Sequence, residues 1–207
     1  MLKKPNIYDE IEIKEFSYTP LELGAHKGII KKVEEYTSDF SGNTSLKVYV
    51  DTASDDKQPN YFMEQFKNDK RPDKKYPNSA IKYVSLREDE TCVRMLKSFL
   101  TCIEKSNSNF KFDWNKEVDQ LNNKKIGLVF GLEEYEKQDG SVGTTTKLVQ
   151  FRSLDKLSEI TIPKVKKLDG SYVEYEKYQP TTNKNINSNL ESLFANSPEI
   201  SDEEMPF

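Results

Sequence analysis

The stretch YFMEQFKNDKRPDKKYP, residues 61–77, interleaves Tyr61, Phe62, Phe66 and Tyr76 with Lys67, Lys70, Arg71, Lys74 and Lys75. Aromatic faces set among cations are suited to an unpaired nucleic-acid strand. Bases stack on the rings while Lys and Arg follow the phosphates, and stacking ignores sequence because every base has a flat π-face. Lys47 and Tyr49 extend the set. In SLKVYVD, Leu46, Val48 and Val50 share one side of a strand, leaving Lys47 and Tyr49 on the other. Lys27, Lys31 and Lys32 are candidates on the preceding strand. The paired apolar residues of KGIIKKVEE signal a bulge there, which leaves their facing open. Lys147 and Arg152 are further candidates on a late strand, and Trp114 is read as a helix anchor in the core.

Other chemistries lack their residues. One histidine, His26, offers no zinc pair and no nucleophile-base partnership, and is read as a strand residue without a chemical role. Eight glycines form neither a phosphate loop nor a dinucleotide fingerprint. Asp55 and Asp56 read as a solvated turn beside Asp51 rather than a magnesium site. The adjacent acids of LEEYEK face opposite sides of a strand, so they do not make a catalytic pair. Neither an enzyme nor a cofactor is expected, and no metal. Cys92 and Cys102 form no CxxC and read as reduced structural thiols.

The elements that must carry these residues follow from periodicity. Strands are expected at about 25–36 and 44–51, joined by a turn at Ser41-Gly42-Asn43, and a third at about 80–86. Between the second and third lies a polar, irregular stretch. REDETCVRMLKSFLTCIEK places Cys92, Leu96, Phe99 and Ile103 on one helical face, with acids at its start and Lys105 at its end. A shorter helix is expected from Asp113, with Trp114, Val118 and Leu121 on one face. IGLVFGLEEYEK and TTTKLVQFRS are strands around an Asp139-Gly140 turn, and KKLDGSYVEY reads as a small extra hairpin. Five strands with a helix between the third and fourth is the order of the OB-fold, a partly open five-stranded barrel. The fold class is therefore mainly β with helices: residues 1–178 form the OB-fold domain with an N-terminal extension and the extra hairpin, and residues 179–207 form a flexible acidic tail.

Charge supports that division. The 207 residues carry a net charge of −4, and residues 181–207 hold one base (Lys184) against five acids, so the whole excess lies in the tail. A neutral body can still present a basic face. Aromatic residues make up 11% of the chain, enough to leave some rings exposed for binding. MLKKPNIYDEIEI has no apolar signal block, and no stretch approaches the roughly 20 apolar residues of a membrane span. A cytoplasmic protein with no membrane partner is expected.

GAHKGIIKKVEEYTSDFSGNTSLKVYVD, MLKSFLTCIEKSNSNFKFDW, KKIGLVFGLEEYE and SLDKL…IPKVKKLDG together resemble the single-stranded DNA-binding proteins of phages of Gram-positive bacteria. They are more distantly similar to the bacterial single-stranded DNA-binding proteins. The similarity spans about Leu23 to Pro163. Asp202, Glu203, Glu204, Met205, Pro206 and Phe207 match the acidic Pro-Phe tip of the bacterial proteins, with Glu where Asp is usual and Met for the usual apolar residue. The resemblance implies sequence-independent binding and protection of single-stranded DNA in phage replication or recombination, inside the bacterial host cytoplasm. It also implies that the tip recruits replication or repair proteins, and it leaves room for a homo-oligomer. The alternative is a non-catalytic interaction or structural phage protein with an OB-like barrel, which an unbroken acidic outer face on strands two and three would favour.

Overall fold

The computed structural model describes residue 4 and residues 19–180. The expected tip, Asp202 to Phe207, lies outside them, as does nearly all of the tail.

The chain is mainly β. Two strands, β1 (Gly24–Thr37) and β2 (Thr44–Thr52), form an antiparallel hairpin, and β3 (Ile81–Ser85) pairs with the outer edge of β2. β4 (Lys125–Glu136) pairs with β1 through its first half and with β5 (Val142–Arg152) along most of its length. Sequential contact order thus runs β3-β2-β1-β4, with β5 on β4. The expected small hairpin is present as β6 (Val165–Lys166) and β7 (Tyr172–Val173). β6 runs parallel to β4 beside Glu133, so the sheet has seven strands rather than five. No ladder joins β3 to β5, and the sheet is not closed. One side chain spans the gap: the Lys82 ammonium donates to the Leu148 carbonyl at 3.5 Å.

The bulge signalled by KGIIKKVEE is real. Pairing with β2 shifts between Ile30 and Lys32, leaving Lys31 as the extra residue. An unpaired residue bends a strand and increases its twist, which lets β1 serve β4 with its first half and β2 with its second. Close approach at the β1–β4 crossing needs Gly28, where a Cβ would stand 2.4 Å from the Leu128 side chain. The Asp139-Gly140 turn forms as expected, with Gly140 at φ 76°, a left-handed conformation that glycine adopts without strain.

One core lies inside the curl. Ile30, Val33, Leu46, Val48, Val50 and Val84 meet Ile126, Leu128 and Phe130 of β4 and Leu148 and Phe151 of β5. α2 (Glu90–Ser106) covers the core with Phe99, Leu100 and Ile103. Asp89 starts α2, its side chain accepting from the Cys92 amide at 3.0 Å. Asn107 ends it, donating to the Ile103 carbonyl at 2.7 Å and to the Lys125 carbonyl at 2.8 Å, which ties the helix to the start of β4.

Two sequence expectations are corrected here. Residues 61–68 of the supposedly irregular stretch form α1 (Tyr61–Asn68), whose Phe62 is fully buried in the core. Asn60 precedes α1 in a left-handed conformation and gives no side-chain cap. The cap comes from β2 instead: Asp51 accepts from the Phe62 amide at 2.9 Å and the Met63 amide at 3.4 Å. The helix expected from Asp113 does not form. Asp113 accepts from the Asn115 amide at 3.0 Å, a local turn that competes with helix, and only a 3-10 turn at Val118–Leu121 follows. Leu121 is buried, while Trp114 is 74% exposed and packs edge-on against Phe112 rather than in the core.

Candidate functional site

The outer face of β1, β2 and β3 is built in three cross-strand rows. Tyr36, Ser45 and Ser85 form one, Glu34, Lys47 and Tyr83 the next, and Lys32, Tyr49 and Ile81 the third. Strand alternation forces this arrangement: Val33, Leu46, Val48 and Val84 take the core side, so their neighbours must face out. The bulge at Lys31 brings Lys32, Glu34 and Tyr36 into phase with that outer face.

Rings lie on it in two clusters. Tyr36 and Tyr83 have centroids 5.5 Å apart, Tyr49 and Tyr76 5.9 Å, and Tyr76 and Phe66 5.8 Å. The Lys47 ammonium bridges the two groups, 5.7 Å from the Tyr36 ring and 5.1 Å from that of Tyr49. Lys74 stands 4.8 Å over Phe66. Tyr76 is fixed by donating its hydroxyl to the Val50 carbonyl at 2.8 Å, and burial pushes that phenol well above its ordinary range. Beside the Tyr36–Tyr83 pair, an open hollow of about 370 Å³ is lined by both rings, by Ser38, Ser41, Asn43 and Ser45 around the β1–β2 turn, and by Arg87. At the tip of that turn the Phe40 ring is fully exposed.

One acid sits among these groups. Glu34 accepts from the Tyr49 hydroxyl at 2.6 Å, pairs closely with Lys32, and lies 3.9 Å from the Lys47 ammonium. The hydrogen bond from Lys32, and then that from Tyr49, hold the Glu34 carboxyl below the usual carboxylate range. The Lys47 ammonium is raised, chiefly by its bond to Tyr49. Glu34 thus holds both lysines against the aromatic face.

The candidates named from sequence divide accordingly. Lys32, Lys47, Tyr49, Phe66, Lys74 and Tyr76 come together on or beside this face. Phe62 does not: it is in the core, because the apolar side of α1 packs against the sheet, and it is withdrawn as a stacking residue. Tyr61 is half-buried, with its hydroxyl accepting from the Leu21 amide at 3.1 Å. Lys27 pairs with Asp55 at 3.0 Å opposite β4, away from the three rows. Lys31, the bulge residue, is half-buried near the Asp51 carboxylate. Arg71 is held by Asp69, which it drags down to a pKa of about 2. Lys67, Lys70 and Lys75 are exposed and form no ion pair with any described residue.

Tyr36, Phe40, Tyr83 and Arg87 were not singled out from sequence. Phe40 stands within the polar turn DFSGN, where a large ring has no core to enter, and that mismatch is a readable signal. Tyr36 becomes assignable only once the bulge is placed.

Other candidate chemistries resolve into structure. His26 is 1% exposed, with Nδ1 2.8 Å from Asp56 and Nε2 3.0 Å from the Glu22 carbonyl. Both partners are acceptors, and Asp56 also receives the Lys27 amide at 2.7 Å, so this pair pins the loop after β2 to the start of β1. Glu133 and Glu134 do face opposite sides. Glu133 pairs with Lys147 and Lys166, while buried Glu134 receives the Leu168 amide and the Tyr178 hydroxyl. Cys92 and Cys102 are free thiols. Among the described residues no group of three or more His, Cys, Asp or Glu is placed to hold a metal, and no helix is long and apolar enough to cross a membrane.

No protein-family model matches the chain, and no curated protein matches it either.

Proposed function

We propose that the outer face of β1–β2–β3 binds single-stranded DNA without regard to sequence, on an OB-type barrel. The single observation that carries this reading is the pair of ring clusters, Tyr36–Tyr83 and Tyr49–Tyr76–Phe66, joined by Lys47 over both Tyr36 and Tyr49 and bordered by Lys74 over Phe66. A strand laid along the rows would stack bases on Tyr36, Tyr83 and Tyr49 while its phosphates take Lys32, Lys47 and Arg87 from their present partners. The strand order β3-β2-β1-β4 with β5 on β4, and α2 between β3 and β4, support the OB assignment. The exposed bases of the 67–75 stretch flank the same face and extend its cationic border.

The role that fits is coating and protecting single-stranded DNA during phage replication or recombination in a bacterial host's cytoplasm. In this reading residues 202–207 recruit other replication proteins: the Phe207 ring enters an apolar pocket while the acids meet bases around it.

The test is binding to oligo-dT, to the same length of RNA and to duplex DNA, across a salt series. Tighter binding to oligo-dT than to duplex is expected, with affinity falling linearly in log-log against salt. Equal affinity for duplex, or indifference to salt, rejects the proposal.

A further inference from the structure

A second cationic surface lies on the far side of α2, away from the aromatic rows. Arg94, Lys97, Ser98, Thr101, Cys102 and Lys105 recur at helical spacing along one side of α2 and form one wall of a groove of about 380 Å³. Arg152, Ser153 and Lys156, at the end of β5 and in the turn that follows it, form the other. Phe99 packing on Phe151, with centroids 4.8 Å apart, and Ser106 accepting from the Leu154 amide at 3.0 Å hold the walls together. The lining has five bases and no carboxylate. Arg94 has Glu90 as an ion-pair partner, and Lys156 has Glu159 at 2.7 Å. The Asp155 carboxylate, just outside the lining, is engaged by the Ser153 side chain and lies near Lys105 and Lys156. Lys97, Lys105 and Arg152 form no ion pair with any described residue. Arg152 Nε is buried without a hydrogen-bond partner, the one such side-chain atom among the described residues.

Like charges gathered in a groove repel unless an anion joins them, and a buried donor without an acceptor is a further unmet demand. The lining has no aromatic or aliphatic side chain, so it offers no pocket for the apolar anchor on which peptide recognition depends. Cations interleaved with the hydroxyls of Ser98 and Thr101 are instead the donor set that positions phosphates. We propose that this groove binds phosphates of the same single DNA strand after it leaves the aromatic face, so that longer strands are held at two places. This rests on the function proposed above. The open seam between β3, the edge of the aromatic face, and β5, which ends in the groove, lies between the two surfaces. Lys82 of β3 reaches Leu148 of β5, and Arg152 follows on that same strand at about 13 Å, given a rise of about 3.3 Å per residue.

The experiment compares the full chain with Lys97→Glu/Lys105→Glu, both exposed, with circular dichroism confirming an unchanged fold. Oligo-dT of about 8 and about 30 nucleotides is used, within and beyond the roughly 4–16 that one such fold covers. The double variant is expected to bind the short strand within about twofold of wild type and the long strand at least tenfold more weakly. Its salt slope on the long strand should drop by about 1.4, at about 0.7 for each lost phosphate contact. Unchanged affinity for the long strand overturns the assignment while leaving the aromatic face intact. If wild type binds neither strand, the aromatic-face reading fails first and the groove falls with it. Cross-linking of a peptide spanning 198–207 to Lys97 or Lys105, with long-strand affinity unchanged, makes the groove a protein-docking site and likewise overturns the proposal.

Discussion

Two faces of the same sheet carry lysines, and they present them differently. On β4, Glu133 binds both Lys147 at 3.0 Å and Lys166 at 2.5 Å, so one carboxylate occupies two cations, and the ring opposite Lys166, Tyr172, touches no second ring among the described residues. On β1–β2–β3, Glu34 also touches two lysines, but Lys47 is 3.9 Å away and lies over two tyrosine rings. The count of charges is similar; what differs is whether a cluster of rings or a single isolated one stands beside them. A base needs those rings and a phosphate needs the cation, so the combination rather than the charge distinguishes a binding face from a solvated one.

The largest effect should come from removing a ring. Tyr83 is half-exposed and bears little of the core, so Tyr83→Ala should leave thermal unfolding nearly unchanged. It should weaken oligo-dT binding by about 1–3 kcal/mol, roughly 5- to 150-fold, as expected for one lost stack. Tyr172 on β7 is more exposed still and has Lys166 opposite it but no second ring among the described residues, and Tyr172→Ala should leave affinity unchanged. Fluorescence anisotropy on both variants decides. Equal losses would erase the distinction between the faces.

Next come the two buried acids that anchor accessory elements. Asp51 caps α1, which carries Phe66 beside the rings, and Glu134 anchors the β6–β7 hairpin. Asp51→Ala should lower stability by about 0.5–2 kcal/mol, the usual loss for a helix cap, and weaken oligo-dT binding about two- to threefold as Phe66 loosens. Glu134→Ala should lower stability and spare binding. Burial raises the Asp51 carboxyl above its ordinary 3.8 despite the three amides bonded to it. The native state therefore holds that proton more tightly than the unfolded chain. The resulting stability is complete below pH 3.8 and is lost as pH rises through the higher native value. Denaturant titrations from acid to neutral pH should show that decline in wild type and a flatter profile in Asp51→Asn.

Much of this was legible in the chain. The alternation of Leu46, Val48 and Val50 assigned Lys47 and Tyr49 to the outer face, because a period of two leaves no other choice. The α2 face and the Asp139-Gly140 turn followed from equally local rules. What failed depended on tertiary contacts. α1 is only 8 residues long, too short to be stable alone, and its cap comes from Asp51 on β2 rather than from its own Asn60. Without that helix, Phe62 could not be separated from Phe66. Trp114 failed for the opposite reason, a local turn at Asp113 defeating a plausible apolar period. Tyr36 and Arg87 needed the bulge and the three-strand register before they could be placed. The basic side of α2 was readable at helical spacing, but its second wall comes from residues 152–156, far along the chain.

Neutralising one cation tests the comparison more finely. Lys47→Ala should reduce the salt slope for oligo-dT by about 0.7, the expectation for one phosphate contact on a single strand. Lys147→Ala, on the β4–β5 face, should leave the slope alone. A slope that fell equally in both would mean that charge acts without regard to the rings.

The smallest effect concerns Glu34 itself. If it merely holds lysines that a phosphate must take over, Glu34→Gln should raise oligo-dT affinity at neutral pH and low salt. The gain should be modest, up to about fivefold, because exposed ion pairs are weak. Glu133→Gln frees two lysines as well, yet they stand by one isolated ring, Tyr172, rather than a cluster, and affinity should not rise. Acidity offers an independent check. The Glu34 carboxyl is held below its ordinary 4.5, so its ion pairs are fully formed above that value and are lost as pH falls through the lower native one. Wild type should therefore approach the variant's affinity only below the ordinary carboxylate range, where its own Glu34 takes up a proton. A variant that binds more weakly than wild type at neutral pH would give Glu34 a different role, that of orienting Tyr49 and Lys47 for the strand rather than competing with it.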